Sequence, residues 1–151
     1  MVSTSEPDAA RVQAGNAEAP KEAADAFIAA GRHRLAVIGS HSATPSIAER
    51  ENAFLAAAHA SGFEVRTAHG RDSDYDSGVI AARALFAEGE RPDAIFCAND
   101  LLAFGAMDVI RQEFGLSVPE NVALIGFDDV PEAAWLGYGL ATFHQDPGAI
   151  A

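Results

Sequence analysis

Short apolar runs with no polar interruption, each entered from a helical stretch that a glycine stops, constrain this chain more than any other feature. Leu35–Ile38, Ala94–Cys97 and Val122–Phe127 are such runs. A strand with one wet face alternates apolar and polar residues; an unbroken run is covered on both faces. Apolar residues recur at helical spacing over Pro20–Ala30, Ser46–Ala60, Tyr75–Ala87 and Leu101–Phe114, with Gly31, Gly62, Gly89 and Gly115 just beyond their ends. Glycine supplies the left-handed conformation that closes a helix. Phe63–Arg66 reads as a shorter alternating strand, Leu140–His144 as a last strand, and Val130–Trp135 as a brief helical turn. Strands flanked by helices at this spacing predict an α/β fold: an open parallel sheet with helices on both faces.

Length and composition exclude several classes. A chain of 151 residues suffices for one domain with a substantial core. A single cysteine, Cys97, rules out an internal disulfide and a cysteine-rich metal site. The opening MVSTSEPDAARVQ lacks the basic and apolar regions of a secretory signal. The formal charge is −12, from 10 Lys+Arg against 22 Asp+Glu. Such a field repels nucleic-acid phosphates, so the chain alone is expected not to bind DNA.

Ligands of open α/β sheets gather beyond the carboxyl ends of the strands. Polar groups stand at that predicted edge: Gly39-Ser40-His41, Asn99-Asp100 and Asp128-Asp129. Each has a plain explanation. Asn99 or Asp100 would cap the next helix, Asp100 being the expected cap, and Asp129 suits a turn. Their convergence on one side favours a site. Arg50, early in the helix after the Ser40–Pro45 loop, offers a donor fork toward the same edge, although a surface position explains it equally. Trp135 is either a stacking aromatic or a plug for the short turn. Cys97 reads as a small hydrophobe ending a buried strand.

Catalysis reads poorly. There is no Gly-x-Ser-x-Gly elbow, the histidines lack metal-ligand spacing, and Gly39-Ser40-His41 has neither a Walker lysine nor a Gly-x-Gly-x-x-Gly pattern. No enzyme, cofactor or metal is expected. Hydrogen-bonding side chains without a catalyst suit a neutral, hydroxyl-rich ligand.

Residues 91–131, RPDAIFCANDLLAFGAMDVIRQEFGLSVPENVALIGFDDVP, resemble the effector domain of the lac and gal repressor family of bacterial transcription regulators. Asn16, GRHRLAVIG and Leu140–Gln145 extend the likeness over about residues 8–148, with Arg32 inserted before His33 and Ala141 replacing a threonine. The resemblance implies a periplasmic-binding-protein-like type I lobe, the C-terminal one of two that close on a sugar or sugar derivative. It places Arg50 at the effector arginine, Asn99 at the pocket edge, Asp128 at the hydroxyl acceptor and Gln145 on the last crossover. Ser40, Tyr75 and Trp135 complete the candidate ligand set. Ser73 stands where the family often has a stacking aromatic, and Tyr75 is the substitute.

On this reading residues 1–11 are a leader or an expression remnant, 12–145 the effector-binding lobe, and 146–151 the start of a shortened final element. The protein is expected to be a cytoplasmic regulator that meets operator DNA only through a helix-turn-helix headpiece without counterpart here. A fragment of a periplasmic sugar-binding protein is the rival. A homodimer is expected through Leu101, Phe104 and Leu136, because the helix after Asn99 carries more apolar residues than one core stripe needs. The alternative is that the sheet and a neighbouring helix cover both of its faces.

Overall fold

A computed structural model describes residues 13–15, 17–42, 44–87, 89–128 and 139–145, with positions 13, 14, 144 and 145 described through their backbone. The elements run β1 (Gln13–Ala14), α1 (Glu18–Ala29), β2 (Leu35–Ser40), α2 (Pro45–Ala60), β3 (Val65–Gly70), α3 (Tyr75–Ala87), β4 (Ala94–Cys97), α4 (Asp100–Asp108), β5 (Ala123–Asp128) and β6 (Ala141–Gln145). A π-helical turn, Val109–Glu113, continues α4. The strands form one sheet in the order β1-β6-β5-β4-β2-β3, and every pairing is parallel.

Strand alternation sorts the core into two layers. Leu35 and Val37 of β2 join Phe27, Phe54, Phe96, Phe127 and Phe143 beneath α1 and α2. Ala36 and Ile38 join Leu85, Ile95, Leu102, Met107 and Ile110 beneath α3 and α4. The first layer is built on rings, Phe54 stacking on Phe96 at 5.2 Å between centroids. The second is aliphatic and closes tightly. A Cβ at Gly78 would strike the backbone of Leu102, and one at Gly105 the backbone of Tyr75, so α3 and α4 touch backbone to backbone.

Three of the strands run past their last apolar residue into a polar one: β2 to Ser40, β5 to Asp128 and β6 to Gln145. The expected Phe63–Arg66 strand is displaced more, to Val65–Gly70. Gly62 adopts φ 87° and the Phe63 amide still bonds the Ala58 carbonyl at 3.0 Å, so Phe63 belongs to the close of α2. β3 is an edge strand with exposed Arg66 and Thr67, which explains why no apolar run marked its second half.

At the amino end of the sheet, arginines tie down carbonyls. Arg32 donates to Pro119 O at 2.8 Å and to Asp93 O at 3.2 Å, and Arg34 to Arg91 O at 2.7 Å. Arg66 donates to Leu85 O and Glu90 O, both at 2.9 Å, closing the end of α3. The buried Asp93 carboxylate accepts the amides of His33 and Arg34 at 3.1 and 2.9 Å.

Candidate functional site at the carboxyl edge of the sheet

Thr44 starts α2: its hydroxyl accepts the Ile47 amide, and Pro45 follows at the first helical position. One and a half turns later Arg50 points inward, its side chain only 2% exposed. Its Nη1 donates to Ala98 O at 2.9 Å, just past the end of β4. Its Nη2 lies 3.2 Å from Asp128 Oδ1, and its guanidinium carbon sits 3.9 Å from the centroid of the Phe127 ring. The arginine therefore bridges the ends of β4 and β5 from below.

Asp128 ends β5 at φ 121°, a backbone conformation that residues other than glycine adopt rarely. Its side chain is 33% exposed. Burial pushes its carboxyl up from the ordinary aspartate value, and the Arg50 charge and hydrogen bond pull it partly back. Burial likewise lowers Arg50, opposed first by Asp128 and then by the charge of Asp100. An arginine stays protonated through such a shift at neutral pH. The result is an ion pair with one partner sealed and the other open to solvent.

Asn99, not Asp100, caps α4. Its Oδ1 accepts the Leu102 amide at 2.9 Å while its Nδ2 donates to Ser73 O at 2.9 Å, tying the loop before α3 to the end of β4. The expected cap, Asp100, is 0% exposed and accepts a hydrogen bond from Thr142 Oγ1 at 2.6 Å. Ser40 is buried at the end of β2, 3.4 Å from Arg71 O. Tyr75, the proposed stacking residue, turns elsewhere: its hydroxyl donates to Asp108, at the far end of α4. Gln145 ends β6 beside Ala14, its side chain lying outside the described residues. Trp135 and Leu136, the leader over 1–11 and the element over 146–151 also lie outside them.

The apolar surplus of α4 is absorbed inside the chain. Phe104 is 4% exposed and packs in the core with Leu102, Met107 and Ile110, so it is no surface residue for a partner. The sheet and α3 cover the helix from both sides, as their glycine contacts allow. Leu101 alone of the expected interface residues is described as exposed, at 43%.

A second polar group at this edge escaped sequence reasoning. Glu51, next to Arg50, passes over Gly39, where any side chain would collide with it, and its Oε2 lies 2.6 Å from His69 Nε2. The His69 ring faces that of His41 at 5.0 Å. The Gly39 gap was the available signal, but His69 lies in the part of β3 that no apolar run marked. Among the described residues no three His, Cys, Asp or Glu side chains are grouped to hold a metal ion, and no helix is long and apolar enough to cross a membrane.

A family model for a periplasmic binding protein-like domain matches residues 24–151. The HTH-type transcriptional repressor PurR of Photobacterium profundum is 32% identical over 121 residues, 79% of this chain and 36% of the repressor. The ribose operon repressor of Haemophilus influenzae is 36% identical over 72 residues, 48% of this chain and 21% of that protein. A crystal structure of a LacI-family transcriptional regulatory protein from Corynebacterium glutamicum superposes with a TM-score of 0.78 at 28% identity, covering 84% of this chain and 51% of that one. The chain thus spans between a fifth and about half of the length of these proteins.

Proposed function

Because the chain belongs to the periplasmic binding protein-like domain family, we propose that it is the effector-binding C-terminal lobe of a bacterial transcription regulator. Its carboxyl edge receives a small hydroxyl-bearing effector, a sugar or sugar derivative. The observation that carries this reading is the Arg50–Asp128 pair: a sealed guanidinium holds a half-open carboxylate at the strand ends, where ligands of such sheets sit. A carboxylate so oriented accepts from ligand hydroxyls, and Arg50 keeps it ionised. The lobe comprises residues 12–145. The regulator works in the cytoplasm, without catalysis, and contacts operator DNA through a headpiece that these residues do not supply. A periplasmic sugar-binding fragment would share the fold, but the relatives named above are repressors.

Calorimetric titration with D-ribose, D-glucose and D-galactose tests the reading, on this chain and on the complete regulator. Losing a charge-assisted hydrogen bond costs roughly 2–4 kcal/mol, so Asp128→Asn weakens the sugar that binds by a factor on the order of 100. Equal affinity in the variant removes Asp128 from the site. No gel shift of operator DNA is expected from this chain at physiological salt, given its charge of −12.

Pairing of two lobes is part of the same proposal, with Leu101 as its described apolar contact. Sedimentation of the wild type and Leu101→Glu checks it: a dimer at tens of micromolar that the substitution dissociates supports the contact, and a strictly monomeric wild type ends it.

A further inference from the structure

We propose that Asp100 is a positioning residue of the Arg50–Asp128 site, acting through a buried bolt to Thr142 one pleat below the carboxyl edge. Asp100 opens α4, and both it and Thr142 of β6 are fully buried. Thr142 Oγ1 donates to Asp100 Oδ1 at 2.6 Å. Between them runs β5, whose Gly126 pairs in register with Thr142. A Cβ at Gly126 would collide with Asp100 Oδ1, so the carboxylate lies against the β5 backbone and reaches across it to β6.

The bolt stands where three parts of the site meet. Asn99, directly before Asp100, holds the Leu102 amide and the Ser73 carbonyl. Asp128 follows Gly126 by two residues, and it pairs with His144, two residues beyond Thr142. Fixing Asp100 against Gly126 and Thr142 therefore fixes how far Asn99 stands from Asp128. It also holds β6 in the register that brings Gln145 to the same edge.

Stability alone is a poor reason for the arrangement. A buried carboxylate is costly even when it is hydrogen-bonded, and a well-packed apolar residue commonly serves a core as well or better. What a carboxylate adds is direction and charge. The α4 N-terminus favours it, Thr142 orients it, and its charge is felt at Arg50. Asp100 and Asp128 thus both act on the same guanidinium, one from inside the fold and one from the edge.

The test needs no ligand, although the purpose given to the site rests on the effector-lobe reading. The ¹⁵N–¹H resonance of the Arg50 Nε–Hε group is followed in the wild-type chain, Asp100→Asn, Thr142→Val and Thr142→Ser, together with urea unfolding. Asp100→Asn and Thr142→Val are expected to shift the Arg50 resonance, and Thr142→Ser to keep it at the wild-type position. Leu85→Ala, a core substitution on α3 away from the bolt, should lower stability without moving it. An Arg50 signal unmoved by Thr142→Val, or moved equally by Thr142→Ser and Leu85→Ala, overturns the proposal. If Asp100→Asn does not fold, the valine–serine pair at 142 decides. Absence of sugar binding by the wild type would count against the effector reading and leave these resonance results to judge the bolt separately.

Discussion

At the amino end of the sheet, Arg34 and Arg66 lie exposed and Arg32 half-buried, and their guanidinium groups meet backbone carbonyls, Arg34 also lying 3.9 Å from Asp93 Oδ2. At the carboxyl end, Arg50 is almost wholly buried and its partners are one carbonyl, one ring and one carboxylate that still meets solvent. The first group closes helix ends and pins loops, work that is finished once the chain has folded. The second leaves a hydrogen-bonding group of fixed direction at the rim. The same residue type is thus a structural tie at one end of the sheet and, on the proposed reading, part of a receptor at the other.

The largest expected effect breaks the amino end. Asp93→Ala strands the amides of His33 and Arg34 at the start of β2. With two donors losing a charged acceptor, urea unfolding should show a loss of about 2–4 kcal/mol, with sugar affinity unchanged in whatever folds. A matching loss of affinity at low denaturant would mean that the two ends are not independent. Next comes Arg50→Met, which abandons the Ala98 carbonyl and Asp128 together. Asp128 is open enough to rehydrate, so the stability cost should be nearer 1–2 kcal/mol, while the Asp128-dependent affinity disappears. A larger stability loss than that of Asp93→Ala would reverse the contrast.

A smaller effect sharpens it through pH. Burial raises the Asp128 carboxyl above its ordinary value. Between the ordinary and the raised value, folded chains keep a proton that unfolded chains have released. Stability contributed by this group therefore falls as pH rises through that window. Asp128→Asn removes the term, so the stability of the variant relative to wild type should climb over the same range and then level off. A flat difference across the acid limb would show that the Arg50 charge and hydrogen bond fully offset the burial of Asp128. Smallest of all is Arg83→Gln. The Arg83–Glu113 pair joins α3 to the π-helical turn on the open surface, and exposed pairs contribute little. No shift of the melting midpoint is expected in physiological salt.

The sheet and its helices were legible because burial on both faces leaves an unbroken apolar run, as at Ala94–Cys97, and a helix written at its own period leaves another. The edge strand β3 was legible only at its start, since exposed Arg66 and Thr67 do not announce a strand. At the candidate site, Asp128 could be named because polar residues follow apolar strands, and Arg50 because it stands early in the helix after the Ser40–Pro45 loop and matches an arginine of the resembling family. Three things could not be read from the chain: that Asn99 rather than Asp100 takes the cap, that Asp100 finds a hydroxyl 42 positions away, and that Tyr75 turns to Asp108. Each depends on which backbone lies across from which, and spacing along one strand carries no such information. Phe104 taught the same lesson from the apolar side. A helix with too many large residues for one face can still bury all of them but one, Leu101, when two glycines bring its neighbour close.

Cys97, fully buried at the end of β4 beside Asp100, has one consequence for anyone handling this protein. Burial, with the Asp100 charge adding to it, pushes the thiol far above its ordinary range, so almost none of it is thiolate while the sheet is closed. It is also the only sulfhydryl in the chain. Alkylating reagents should therefore react at the frequency with which the centre of the sheet comes apart. β4 is flanked on both sides by paired strands, so this single atom would serve as a clock for the opening of the whole lobe.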